Sequence, residues 1–297
     1  MIGLWGGAEW IVTSATKIAK KFGVSELIIG LTIVAVATSA PEFAVTISAA
    51  IKGEDSISVG NVIGSNIFNL GTILGFIAFL TPLKISKTLL KREGFLLLGT
   101  GFLLVIFFYD LYLSFIEGIL LVSTLIIYII VLIKQRKDID GLEEEIPEGE
   151  LTFWDIPKFI FGVAIIIFSA NVLVESASNI ARFFGVSDWL IGITIVAAGT
   201  SMPEFATSVV ALKKKQHGIS AGNLIGSDLF NMLGVLGVAT IIEPLQLVQE
   251  EYLSLILLAV TLIILIIVMR TGWKISKWEG ALLFCIAIFR WGYDFIF

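Results

Sequence analysis

Thr38-Ser39-Ala40-Pro41-Glu42 lies inside a long apolar segment, Leu27 to Ile51, where a membrane helix ought to run uninterrupted. Pro41 has no N–H, and its ring collides with the carbonyl of Ala37, four residues back. The helix is therefore expected to break here, with the last carbonyls of its first half left without partners and Pro41 opening the second half. Inside a bilayer such carbonyls are tolerated only against protein, water or an ion. Glu42 adds a full charge near the midplane, at about 2.5–3.5 kcal/mol on insertion scales unless it is paired. Backbone oxygens, two hydroxyls and a carboxylate at one depth suit a hard cation.

The stretch recurs as Thr200-Ser201-Met202-Pro203-Glu204, and 204 − 42 gives an offset of 162. The offset holds without a gap from Phe22 (against Phe184) to Leu83 (against Leu245), with about half the paired positions identical. A second motif recurs within these limits: Gly60-Asn61-Val62-Ile63-Gly64-Ser65-Asn66-Ile67-Phe68-Asn69 against Gly222-Asn223-Leu224-Ile225-Gly226-Ser227-Asp228-Leu229-Phe230-Asn231. Two broken polar helices at matching places in two halves point to a transporter's binding site. Ser65 and Asn69, four apart, are expected on one helical face. Gly60, Gly64, Gly222 and Gly226 read as close-packing positions between helices. Ser39 and Ser201 could serve as caps of the second half-helices as well as ligands.

Composition sets the class. The chain is 57% hydrophobic with mean hydropathy +0.97, and apolar runs of about twenty residues recur, as in a polytopic membrane protein. A net charge of −5 offers nothing to nucleic acid, and a single cysteine, Cys285, allows no disulfide frame and reads as a packing residue. No cleavage pattern marks a signal peptide, since the first apolar run carries Glu9. About ten spans are expected, near 1–20, 25–51, 57–81, 93–109, 113–133, 156–182, 187–212, 219–242, 250–269 and 277–296. Met1 matches Val163 by the offset, so one to two turns of the first span are expected to be missing. The fold is thus read as all-α, with two five-helix repeats at 1–133 and 154–297 joined by a linker, 134–153. That linker, acidic through Glu143, Glu144, Glu145, Glu148 and Glu150, reads as solvated.

Lys and Arg set the expected orientation. Lys17, Lys20, Lys21, Lys84, Lys87, Lys91, Arg92, Lys134, Arg136, Lys137, Lys158, Lys213 to Lys215, Arg270, Lys274 and Lys277 gather on one side; Lys52, Arg182 and Arg290 remain on the other. The linker is then cytoplasmic and both termini lie outside. Five spans per repeat is an odd number, so the second repeat enters the membrane inverted. Trp5, Trp10, Trp154, Trp273, Trp278 and Trp291 fall near span ends, as in an aromatic belt.

The paired motifs, ATSAPE and GTSMPE with GN-x-IGS-x-x-FN in both copies, resemble those of the cation/Ca2+ exchanger superfamily, most of all the prokaryotic Na+/Ca2+ exchangers. The resemblance implies a plasma-membrane antiporter exchanging Na+ for Ca2+ by alternating access, with no cofactor and no obligate protein partner. It implies that Thr38, Ser39, Glu42, Ser65 and Asn69 face Thr200, Ser201, Glu204, Ser227 and Asn231 at the centre. Ala35 and Ala197 would give carbonyls to Na+ sites, Thr38 and Thr200 carbonyls to Ca2+, and Glu42 and Glu204 would serve both ions. Two carboxylates balance the charge of Ca2+, and repel each other when no cation is present, which makes exchange obligatory.

The chain departs from the pattern in places. Asn231 stands where some archaeal relatives and the K+-dependent exchangers carry Asp, which argues against K+ cotransport. Asp228, where the first copy has Asn66, could face the same cavity or a headgroup. Gly64 and Gly226 stand where H+/Ca2+ exchangers of the superfamily usually place a Glu, which favours Na+ as counter-ion over an H+/Ca2+ antiporter. Two other functional classes fit the sequence less well. An intramembrane hydrolase lacks a base at membrane depth, because the one histidine, His217, is in an expected loop. A passive cation channel could also use carboxylates, but gives no reason for the duplication. Asn171 and Glu175 in the sixth span could line an ion path or an interface.

Overall fold

The computed structural model describes residues 1–135, 150–186 and 192–296, with side chains at all of these except 192, 193, 250 and 290–296. The acidic run from Glu143 to Glu148, with Arg136 and Lys137, lies outside the described residues. The chain is a largely helical membrane protein. Its helices are α1 (Ile2–Phe22), the bent pair α2 (Glu26–Thr38) and α3 (Ala40–Ile51), α4 (Asp55–Leu80), α5 (Leu89–Asp110), α6 (Phe115–Lys134) and α7 (Asp155–Phe183). They continue with the bent pair α8 (Thr194–Thr200) and α9 (Met202–Lys213), then α10 (His217–Ile242), α11 (Gln249–Arg270) and α12 (Lys277–Ile296).

Among the described residues six helices are long and apolar enough to cross a membrane, or up to eight if each bent pair is one span. The sequence suggests about ten. The difference is α1 and α12, each carrying four charged residues: Glu9, Lys17, Lys20 and Lys21 in one, Lys277, Glu279, Arg290 and Asp294 in the other.

Both breaks fall where proline dictates. The chain bends by 48° between α2 and α3 and by 46° between α8 and α9. Pro203 takes an opening position of α9, where a missing N–H costs nothing. Other features at the 162-residue spacing were hidden from helical periodicity. One π-helical turn covers Gly30–Val34 and another Gly192–Val196; a further pair covers Phe68–Ile73 and Phe230–Val235. A strictly all-α expectation also needs amending. Two-residue strands pair Leu83 with Ile275 and Leu113 with Leu245, both antiparallel. Since 83 + 162 = 245 and 113 + 162 = 275, each pairing is the other with its partners exchanged.

The chain forms two compact units, each drawing on both halves of the sequence. The first contains Met1–Pro41, Gln135–Ser227 and Ile288–Phe297. In it α1 lies against α7 around a buried apolar cluster that includes Leu4, Ile11, Ala15 and Ile166. The helices meet at two glycines: a Cβ on Gly7 would lie 2.7 Å from the Gly162 carbonyl oxygen, and one on Gly162 2.9 Å from that of Gly7. Lys17 and Asp155 join the same helices at 2.9 Å, with the Asp155 carboxylate buried. Asp155 also accepts the Thr152 N–H and hydroxyl, each at 2.7 Å.

The second unit contains Glu42–Lys134 and Asp228–Ala287. There α6 meets α10 at Gly118 and Gly237, and α4 meets α12 at Gly75 and Gly280. Around Trp273, Arg270 lies 4.6 Å and Lys87 5.6 Å from the ring centre, basic side chains on an aromatic face at a helix end. Two side expectations need correction. Cys285 is exposed rather than packed, and His217 is half-buried at the start of α10 rather than in a loop. Asn171 and Glu175 are both exposed on α7.

Candidate functional site

In the first unit, the end of α2 and the start of α9 meet the middle of α10. Thr38, Ser39, Glu204, Asn223 and Ser227 are all fully buried, although all are polar. Buried polar groups need partners, and these largely satisfy one another. The Ser39 hydroxyl donates to Glu204 Oε1 at 2.9 Å. Thr38 Oγ1 donates to Asn223 Oδ1 at 2.9 Å, with Ser227 Oγ 3.4 Å away. Ser227 Oγ also lies 3.4 Å from the Ala35 carbonyl oxygen. The Asn223 amide donates to the Glu204 backbone carbonyl at 3.2 Å and to Ser208 Oγ at 3.0 Å. Glu204 Oε2 is buried without a partner among the described residues.

The second unit repeats the frame. Glu42 is fully buried, its backbone carbonyl accepting the Asn61 amide at 3.2 Å, while Asn61 also donates to Thr46 Oγ1 at 3.0 Å. These are the Asn223 bonds displaced by 162 residues. Beside them, Asn69 Nδ2 donates to Asp228 Oδ1 at 3.0 Å. Asn231 Nδ2 donates to Ser65 Oγ at 3.3 Å and to Asn66 Oδ1 at 3.4 Å. The carbonyl oxygens of Asn69 and Asn231 are buried without partners among the described residues.

Two readings of the sequence change. Ser201 holds the N-cap position of α9 but makes no side-chain cap bond there, and the Ser39 hydroxyl donates to Glu204. Asp228 does not face a headgroup, because it is fully buried and bonded to Asn69. Asn69 lies within a π-helical turn, and Ser65 donates to the Val62 carbonyl at 3.1 Å while accepting from Asn231. Thr200 donates to the carbonyl of Ala197 within its own helix at 3.1 Å, and the matching Thr38 Oγ1 lies 3.2 Å from the Ala35 carbonyl oxygen. Glu42 and Glu204 belong to different units.

Asn61 and Asn223 were legible only as motif letters. Their recurrence in both copies was the available signal, but their reach to a carbonyl nineteen residues back was not. The glycines also divide. A Cβ on Gly222 would lie 2.7 Å from the Leu27 carbonyl oxygen, and one on Gly226 2.7 Å from Leu31 Cα, whereas one on Gly60 would meet nothing within 4 Å among the described residues.

No group of three or more His, Cys, Asp or Glu side chains converges among the described residues. Carbonyls, hydroxyls, amides and isolated carboxylates are donors for hard cations, not for soft transition metals.

Comparison with known proteins agrees. A family model described as sodium/calcium exchanger protein matches residues 1–134 and 156–290. The chain is 36% identical to the putative antiporter CaxA of Alkalimonas amylolytica, over 99% of this chain and 94% of that one. It is 33% identical to the sodium/calcium exchanger MaX1 of Methanosarcina acetivorans, over 95% and 93% respectively. Its structure is similar to that of the sodium-calcium exchanger NCX_Mj soaked with Na+ and Sr2+, with a TM-score of 0.85 at 30% identity, over 97% of this chain and 94% of the other.

Proposed function

The chain belongs to the sodium/calcium exchanger family, and from that premise we propose that it moves Ca2+ across the plasma membrane in exchange for Na+, by alternating access. Family membership establishes a membrane transporter rather than an enzyme; the counter-ion and the ligand set are the proposal. The ligands are Glu42 and Glu204, with the hydroxyls or carbonyls of Thr38, Thr200, Ser39, Ser201, Ser65 and Ser227, the amides of Asn69 and Asn231, and the carbonyls of Ala35 and Ala197. The two repeats, 1–133 and 154–297, form five-helix halves of opposite orientation, ten spans in all, with the linker cytoplasmic and both termini outside.

One observation carries this reading. The same frame is built twice, at a spacing of 162 residues: an asparagine amide holds the backbone of a buried glutamate in the first turn of a helix that restarts after a break. Ca2+ takes six to eight oxygens at about 2.3–2.6 Å. Carboxylate, hydroxyl and carbonyl oxygens supply that number without a compact acidic cluster. Two carboxylates offset its charge. Without a cation they are costly at membrane depth, so the protein changes state loaded with Ca2+ or Na+ and not empty. Net Ca2+ movement is then tied to a counter-flow.

The test is Ca2+ uptake into proteoliposomes holding the purified chain, driven by an outward gradient of Na+, H+ or K+ in turn. Uptake with Na+ alone supports the reading. Uptake that follows a proton gradient in the absence of Na+ makes the chain an H+/Ca2+ antiporter, and uptake needing no counter-ion makes it a channel.

A further inference from the structure

The candidate ligand positions of the two halves match side chain for side chain: Thr38 and Thr200, Ser39 and Ser201, Glu42 and Glu204, Ser65 and Ser227, Asn69 and Asn231. The framing asparagines, Asn61 and Asn223, match as well. Next to them one buried position does not match. Asn66 in the first half is Asp228 in the second, and 66 + 162 = 228. Both side chains are fully buried.

The consequence lies in two hydrogen bonds that are counterparts of each other. Asn231 donates to Asn66 at 3.4 Å, one amide to another. Asn69 donates to Asp228 at 3.0 Å, an amide to a carboxylate. The first pair can also be satisfied with both amides turned over together, since each side chain is both donor and acceptor. A carboxylate only accepts, so Asn69 can meet it only through its NH2 group. That bond is also charge-assisted, and stronger for it. The Asn69 amide is therefore held one way round, its oxygen on the far side from Asp228, buried and without a partner among the described residues.

We propose that Asp228 is a positioning and specificity-determining residue of the exchanger: it holds the Asn69 carbonyl oxygen as a fixed cation ligand and favours Ca2+ over Na+. The inference rests on the exchange reading above. Its physical basis is that a fixed negative charge attracts a divalent ion twice as strongly as a monovalent one at the same place. A loss of Asp228 that weakens Ca2+ tenfold thus weakens each Na+ by about the square root, roughly threefold. The partner half, with the neutral Asn66, supplies an amide oxygen that can turn away. The two asparagine ligands, identical in sequence, are therefore unequal in use.

The experiment measures Na+-driven Ca2+ uptake by the full chain in proteoliposomes, reading KM for Ca2+ and half-saturation for Na+ together. Asp228→Asn is expected to raise KM for Ca2+ about tenfold and Na+ half-saturation by threefold or less. Moving the carboxylate to its counterpart, Asn66→Asp with Asp228→Asn, is expected to bring both values back within threefold of wild type, because Asn231 then has the fixed orientation. If Asp228→Asn does not fold, Asn66→Asp alone decides: it is expected to lower KM for Ca2+ relative to Na+. Unchanged constants in Asp228→Asn, equal shifts for both ions, or a swap that restores neither would overturn the proposal while leaving exchange intact. A wild-type chain without Na+-driven uptake overturns the exchange reading and this one together.

Discussion

Asn223 spans the gap between α10 and α9 to hold the backbone carbonyl of Glu204 at 3.2 Å. The bond fixes where α9 restarts after its break, and with it the depth of the Glu204 carboxylate. Because the carbonyl belongs to the glutamate itself, a small rotation of Asn223 moves its carboxylate directly. Asn61 does the same for Glu42 at 3.2 Å.

Asn223→Ala and Asn61→Ala each remove a buried hydrogen bond to a helix carbonyl, worth about 0.5–1.5 kcal/mol net. We expect at least a tenfold lower Ca2+ uptake rate and a lower Tm, with both carboxylates still present. Asn223→Asp is expected to be no better, since an ionised carboxylate cannot donate to the carbonyl. Near-normal uptake in these variants would mean that the frame is dispensable.

Glu204→Gln and Glu42→Gln keep shape and lose charge. If the two carboxylates offset Ca2+ as proposed, each substitution removes half of that charge, a loss of several kcal/mol of ion binding at membrane depth. Ca2+ transport is expected to fall more than a hundredfold, while the purified protein remains monodisperse. Appreciable Ca2+ flux in either variant would rule that carboxylate out as a ligand.

Much of this was legible in the sequence because proline and charge act locally. Pro41 and Pro203 dictate a break wherever the chain is helical, and a midplane glutamate must have a purpose. The duplication showed in identity alone. The missing parts are those set by contacts between distant residues. Periodicity of 3.6 does not reveal π-helical turns, so the turn that holds Asn69 was not expected, nor was the reach of Asn231 to Ser65. Strands of two residues, Leu83–Lys84 and Lys274–Ile275 among them, are too short to leave a pattern. The depth of Asp228 depended on what lies beside α10, and a polar residue in a helix does not announce which face is covered.

Gly222 tests the packing of the first unit. A Cβ there would lie 2.7 Å from the Leu27 carbonyl oxygen and 3.1 Å from Gly30 Cα, backbone that cannot easily give way. Gly222→Ala is expected to cost about 1–3 kcal/mol through overpacking, seen as a lower Tm in detergent. Gly99 is exposed on α5 with nothing within 4 Å among the described residues. Gly99→Ala is expected to hold or raise Tm, by the ~1 kcal/mol helical advantage of alanine. Equal effects at the two sites would contradict the close approach.

The last prediction concerns motion. Within the first unit α1 and α7 are joined by the Gly7–Gly162 approach and the Lys17–Asp155 pair, so they are expected to move as one body. α1 meets α9 through the same buried apolar cluster, which takes in the side chains of Ala206, Val210 and Ala211, and through polar contacts at the end of α9. Lys214 reaches Glu9 at 3.1 Å and Thr13 at 2.8 Å, both exposed bonds, and Lys213 lies 4.7 Å over the Trp5 ring. An exposed ion pair is worth about 0–1 kcal/mol, little enough to break and reform in each transport cycle. Sliding of the α1–α7 pair past α9 would then uncover the site from alternate sides. Single cysteines at Ser14 and Ser176, after Cys285→Ala, should change their labelling by a membrane-impermeant thiol reagent between Na+-loaded and Ca2+-loaded protein. Cysteines at Ser48 and Val210 should change less. Lys214→Gln should shift the balance of labelling at Ser14 between the two states without abolishing uptake. Labelling that is identical in both states at all four positions would count against a sliding pair.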